Sequence, residues 1–221
     1  MLKVCPPQIL DTATALFQQH GFDNVTLYDI AEAADVSLTQ LTDDHHNTAH
    51  IALALYRQLG HETLDKVETL PNDGMAQRYY LLLERKLEQL TPHEDTLSAL
   101  FGYAMRQSSD ISAADLSPGQ RDPMMQSIQA VVNEANNAPK KQADADELVL
   151  LLYTFHFLML LFWVYDRTEN KQATHLFTAF LRDFFKMLRP MMVMPMVGSS
   201  MKKMARIMML SFGGARLASN D

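Results

Sequence analysis

Few residues in this chain are placed to do chemistry, and the densest group is His45, His46 and His50, with Asp43 and Asp44 just before them. His46 and His50 are four apart and would share one helical face, a spacing that can hold zinc if Asp43 or Asp44 adds a third ligand. With no cysteine partner and no second motif, the better reading is surface histidines, or donors to phosphate when protonated. No metal centre is expected. A second group lies in an apolar stretch, where Tyr153, His156 and Trp163 recur at helical spacing and could face one cavity. A mostly apolar pocket with a few polar groups is the usual form of a small-ligand site. Its competitor is a satisfied core histidine beside a packed tryptophan. With Phe101, Met105, Met124 and Met159 as adaptable lining, the pattern points to a hydrophobic small molecule held by Phe101, Met105, Met124, Tyr153, His156, Met159 and Trp163. Nothing resembles a catalytic motif: there is no Gly-rich phosphate loop, no GxSxG elbow and no HExxH, and Cys5 sits in an N-terminal arm. Neither catalysis nor a cofactor is expected.

Those residues need a scaffold, and the composition supports one. The chain has 221 residues, 48% hydrophobic and 20% charged, which is globular rather than disordered or fibrous. A net charge of −7 argues against a general nucleic-acid coat, although a specific DNA binder needs basic charge only on its contact face. One cysteine excludes an internal disulfide and suits a reducing compartment, and the N-terminus lacks the apolar run of a signal peptide. A cytoplasmic location is the expectation.

The periodicity is helical throughout, with no strand alternation, so an all-α fold is predicted. Pro6 and Pro7 would start the first helix and Gly21 would stop it, with Ile9, Leu10, Ala13, Leu16 and Phe17 inside. Thr26 and Asp29 read as the cap of a second helix carrying Leu27, Ile30, Ala31 and Ala34. Asp35 suits a left-handed turn, and Ser37 would cap a short third helix with Leu38 and Leu41 inward. Asn47 or Thr48 caps a long fourth helix running to about Leu70, before the breaker Pro71–Gly74. Further helices fit residues 75–91, 91–105, 123–138 and 172–189, with an exposed polar loop over 108–122, a solvated turn at Lys140–Gln142 and after it a helix of about 24 residues around the apolar stretch 148–165.

Two short helices joined by a tight turn form a helix-turn-helix, whose second helix is shaped for a major groove. Leu16, Phe17, Gly21, Phe22, Thr26, Asp29, Ile30, Ala31, Ala34, Val36, Ser37 and Leu41 together resemble the N-terminal domain of the TetR family of bacterial regulators. That resemblance implies a variable helical ligand and dimer domain behind the head, hence domains at 1–50 and 51–190 with a tail at 191–221. It also implies DNA contacts from Thr26, Ser37, Thr39, Gln40, Thr42, His45 and Thr48. Gln40 is the base-reading candidate, because glutamine can pair bidentately with adenine. Where the family commonly carries Gly, Tyr, an aromatic or His, Phe and Lys, this chain has Thr39, Thr42, Asp44, His45 and Thr48. The Tyr and Lys positions commonly hold phosphates, and residues 1–60 carry only Lys3 and Arg57 against seven acids. Phosphate neutralisation supplies most non-specific affinity, so the loss is material.

Leu148 to Tyr165 is uncharged over 18 residues, the lower limit for a bilayer span. Asp144, Asp146, Glu147, Asp166 and Arg167 at its ends, and the soluble character of its neighbours, favour a buried helix. With the apolar stretch 172–189 it makes a pair suited to a two-fold four-helix interface. A homodimer through Leu152, Phe155, Phe177, Phe180, Leu181 and Phe184 is expected. The tail holds eight of the 15 methionines, and Lys202, Lys203 and Arg206 share one face. Such a basic amphipathic segment over 198–212 suits a membrane surface or partner groove, or packs back on its own domain. The leading reading is a homodimeric regulator whose binding to operator DNA is modulated by a hydrophobic ligand. Its rival resembles the lipid-binding proteins of ubiquinone biosynthesis, which keep such a fold without DNA binding and touch membranes through a C-terminal helix.

Overall fold

The computed structural model describes residues 5–106, 109–111, 113–116, 122–188 and 203. All regular structure among them is helical: α1 (Pro7–His20), α2 (Leu27–Ala33), α3 (Leu38–Asp44), α4 (Thr48–Asp65), α5 (Met75–Leu90), α6 (Glu94–Ala104), α7 (Ala113–Leu116), α8 (Pro123–Asn133), α9 (Gln142–Tyr165) and α10 (Gln172–Leu188). The chain divides into two compact units, residues 1–60 with 89–116 and residues 61–88 with 117–221. The expected tail, residues 191–221, lies outside the described residues except for Lys203, which is exposed.

In the first unit, local chemistry sets each boundary. Pro6 and Pro7 open α1, and Gly21, at φ 81°, ends it. Leu10, Ala13 and Phe17 are buried, whereas Ile9 and Leu16 sit half-buried at the edge of the stripe. A full capping box starts α2: the Thr26 hydroxyl accepts from the Asp29 N–H, and the Asp29 carboxylate accepts from the Thr26 N–H at 2.8 Å. Asp35 holds the left-handed turn at φ 53°. Ser37 occupies the N-cap of α3, but its hydroxyl makes no capping hydrogen bond. Asn47 caps α4, its Oδ1 accepting from the His50 N–H at 3.2 Å. α4 ends at Asp65, short of Leu70, and a 3-10 turn covers Val67–Thr69. The head is closed by more than its first fifty residues, because α6 packs on α1 and on the 3-10 turn Phe22–Asn24. The stretch read as an exposed loop buries Ile111 and Leu116 and contains α7.

In the second unit, α8 packs along α9, and α10 covers another side of α9. Tyr79 on α5 donates its hydroxyl to the Leu152 carbonyl at 2.7 Å and meets Phe185 edge-on at 5.8 Å. Among the described residues α9 is the one helix long and apolar enough to cross a membrane, but 61% of its most apolar window is buried inside the protein. That is how a core helix behaves.

Asp166 ties the end of α9 to the start of α10. Its Oδ1 accepts from the Thr168 N–H and hydroxyl, and its Oδ2 from the Thr174 N–H and hydroxyl, all within 2.9 Å. Burial pushes the carboxyl up, but these hydrogen bonds outweigh it and hold it well below the usual carboxylate range. A depressed folded pKa contributes stability above the unfolded value of about 4 and loses it as pH falls. Asp166→Asn is therefore expected to melt lower than wild type near neutral pH. The gap should close in strong acid, as read by thermal melts across a pH series.

Candidate nucleic-acid interface and buried polar cluster

The exposed surface of the head is narrow. Leu41 is 1% exposed and anchors α3, while Ser37, Thr39, Gln40, Thr42 and Asp43 face solvent. Leu38, expected inside, is 40% exposed. A seven-residue helix makes under two turns, so one apolar anchor suffices to fix its face. Thr26 is exposed but its hydroxyl is engaged by Asp29, and the Thr42 hydroxyl turns back to the Leu38 carbonyl at 3.0 Å. Gln40 stands clear on the outer face, and Thr48 is half-buried at the start of α4.

His45 does not belong to that surface. It follows α3 in extended backbone and is 2% exposed, with no hydrogen-bond partner for either ring nitrogen among the described residues. Burial lowers its pKa, Asp44 opposes this, and His50 and His46 add to the lowering, which disfavours the charged imidazolium that a phosphate contact would use.

His50 is also internal. Its Nδ1 accepts from the His46 N–H at 3.1 Å, which puts the proton on Nε2, 3.4 Å from Asp110. Tyr103 donates to the same carboxylate at 2.7 Å, and Asn47 donates to the Tyr103 oxygen at 3.1 Å. Together these groups brace the junction after α3. No group of three or more metal-ligating side chains comes together among the described residues. Cys5 is buried, and burial pushes its thiol up to about 11, which leaves no nucleophile at neutral pH.

Of the expected ligand residues, Phe101 and Met105 fall in the first unit, where Phe101 packs edge-on to Tyr56 at 5.4 Å and Met105 is 51% exposed. The other five lie in the second unit, and Met124, Tyr153, His156, Met159 and Trp163 are all buried there. Tyr153 donates a very short hydrogen bond to Asp122 Oδ2, while Asp122 Oδ1 caps α8 by accepting from the Met124 N–H at 2.8 Å. Burial raises the Asp122 carboxyl, and the Tyr153 and backbone donors pull the other way. Lys86 on α5 is 1% exposed, and burial draws its pKa down to about 8 against the pull of Asp122 and Glu62. His156 lies 5.9 Å from the Tyr153 ring and feels the Lys86 charge; burial and that charge push its pKa down to about 3. Neither Lys86 nor Asp122 was singled out from the sequence. The signal for Lys86 was its register, for it falls on the stripe of Tyr79, Leu82, Leu83, Leu87 and Leu90 that α5 buries.

The same unit presents an aromatic face. Phe155, Phe184, Phe180, Phe177 and Phe162 form a continuous row of ring contacts between 5.2 and 6.4 Å along α9 and α10. Phe162, Tyr165, Leu176, Phe180 and Met187 are exposed, Leu176 at 65% and Phe180 at 57%. Two residues expected on this face are absent from it. Leu152 and Leu181 are fully buried within the chain, Leu181 on the opposite stripe of α10 with Thr174, Thr178 and Phe185.

Residues 9–40 match the family of bacterial regulatory proteins, tetR family. No curated protein matches the sequence. Among solved structures, the chain is similar to a TetR transcriptional regulator from Nitrosomonas europaea, with a TM-score of 0.58 at 20% identity over 80% of this chain and 95% of that one. It is similar also to a tetR-family transcriptional regulator from Streptomyces coelicolor, with a TM-score of 0.58 at 16% identity over 90% of this chain and 87% of that one.

Proposed function

We propose, on the premise of a TetR-family helix-turn-helix head carried by an all-helical fold of TetR type, that this protein is a homodimeric, cytoplasmic transcriptional regulator tuned by a hydrophobic ligand. The observation that carries the reading is the presentation of α3. Leu41 is locked in the core while Ser37, Thr39 and Gln40 stand free on the outer face, the arrangement a groove-reading helix requires. The exposed aromatic row on α9 and α10 supports the dimer, since a two-fold pair of heads reads two half-sites. Ligand would act by linkage, binding one head spacing better than another. The test is fluorescence anisotropy with a duplex from the region upstream of the protein's own coding sequence. Saturable binding that weakens with salt is the expected result, and none at low salt overturns the reading.

A second reading is favoured by one observation, the acidic character of residues 1–60 together with the inward turn of His45. In it the fold binds hydrophobic molecules without DNA, and the basic residues 198–212 meet a membrane surface. Vesicle flotation with and without residues 191–221 separates the two, because only this reading makes membrane binding depend on the tail.

A further inference from the structure

His45, His46 and Asn47 join α3 to α4, and two imidazoles hold this linker in place. The His45 backbone N–H closes the last turn of α3 on the Leu41 carbonyl at 2.8 Å, while the His45 ring is packed inside, with no partner for either nitrogen among the described residues. The His46 N–H is accepted by Nδ1 of His50, a buried residue in the first turn of α4, at 3.1 Å. α3 spans seven residues around one buried side chain, Leu41, and so short a helix has little stability of its own. The linker therefore does much to fix its C-terminal end.

Both holds fit a neutral imidazole and not a charged one. Protonated His50 carries an N–H on each ring nitrogen, so its Nδ1 would face the His46 N–H donor to donor. Protonated His45 would need acceptors for two N–H groups where the described residues offer none, and an unpaired buried charge is costly. The charged neighbours do not reverse this. Around His45, burial acts first; Asp44 at the end of α3 opposes it, and His50 and His46 reinforce it. The Cys5 thiol, which also feels Asp44, is uncharged. Around His50, burial again acts first, and with His46 and Arg57 on α4 it outweighs Asp110 after α6 and Asp115 on α7. Tyr103 on α6 donates to Asp110 and holds it below the usual carboxylate range, so Asp110 keeps its charge while histidine titrates.

We propose that the α3–α4 linker is an acid-sensitive latch: proton uptake at His45 and His50 turns the His45 ring out to water, breaks the hydrogen bond between His46 and His50, and frees the C-terminal end of α3. The helix is held at neutral pH and released in mild acid. This is a property of the head's fold and does not depend on what α3 binds. A histidine that must be neutral when latched contributes stability that is full above its unlatched pKa of about 6.5 and shrinks by about tenfold in the latched-to-open ratio per pH unit below it.

Amide hydrogen exchange of the full-length protein, read by mass spectrometry with times scaled for the pH dependence of the exchange chemistry itself, gives the opening of each segment. Between about pH 7.4 and about pH 5.4 the opening of residues 38–50 is expected to rise at least about tenfold, the effect of one titrating histidine, while α8 and α9 change far less. His45→Phe, which takes up no proton, should remove most of the rise. His50→Gln keeps an acceptor for the His46 N–H and a donor for Asp110, and should lower the rise without loosening the linker at neutral pH. Should His45→Phe fail to fold, wild type and His50→Gln carry the test. No rise over residues 38–50 in acid overturns the proposal. So does a rise of equal size in α8 and α9, or one undiminished in every variant that folds. Anisotropy with the upstream duplex on the same samples keeps the two readings apart, because absent DNA binding beside a latch that opens in acid refutes only the regulator.

Discussion

For the homodimeric regulator proposed above, Leu176→Glu combined with Phe180→Glu is expected to give a monomer of 25.1 kDa and to lower affinity for a two-half-site operator by a hundredfold or more. These are two of the most exposed large apolar side chains in the protomer, so glutamate at either position displaces nothing inside. In a dimer each glutamate pair would be forced into an apolar, two-fold interface opposite its own copy, where burying unpaired like charge is costly. Once the heads are separate, the second half-site must be found from bulk solution instead of from an effective concentration in the millimolar range, which removes about 10² to 10⁴ in avidity. Light scattering after size exclusion reads the mass, and anisotropy reads the operator affinity. Trp163, buried away from the substituted face, should keep its emission and so report an intact fold. A dimer that persists with both glutamates in place would remove the aromatic row as the interface.

What the sequence made legible depended on how local the determining physics is. Thr26 with Asp29, Asp35 in its left-handed turn, and Gly21 after α1 are each decided within four residues, and each was readable. His45 was misplaced because its neighbours His46 and Asn47 are polar, while its burial is imposed by packing that no local pattern carries. α9 is apolar on every side, so periodicity could identify the helix but not which residues face the core and which the exposed surface. Leu152 and Phe155 look equivalent in the sequence, yet Leu152 is sealed inside and Phe155 reaches the aromatic row through Phe184. α10 has two stripes, Thr174–Thr178–Leu181–Phe185 inside and Leu176–Phe180–Met187 outside, yet the sequence placed Leu181 with Phe180, because Phe177, Leu181 and Phe184 also recur at helical spacing. The buried Lys86 and Asp122 were missed for a general reason: lysine and aspartate are almost never fully buried unless paired. Lys86 on α5 and Asp122, which caps α8, lie 36 positions apart in the chain, and only the fold brings the lysine within reach of the carboxylate's charge.

The same acidic head that weakens the regulator reading gives it its sharpest test. Asp43 is exposed on α3, and Thr48 stands where TetR-like heads commonly carry a phosphate-holding lysine. Asp43→Lys with Thr48→Lys places two new cations on each head and four on a dimer. If each meets one phosphate, the slope of log affinity against log salt should steepen by about 3.6, at roughly 0.9 per contact. That slope implies about a hundredfold greater loss of affinity between about 50 and about 200 mM salt than wild type shows. Neither side chain anchors the core, since Leu41 and Ile30 do that, so thermal stability should move little. The control is Gln40→Ala, which alters no charge: it should leave the slope unchanged while reducing preference for the cognate duplex over a scrambled one, because a base contact carries sequence information and a phosphate contact does not. A double-lysine protein with an unchanged slope would mean that α3 does not approach DNA at all. The acidic surface would then be the working state of a head that keeps its fold for another partner.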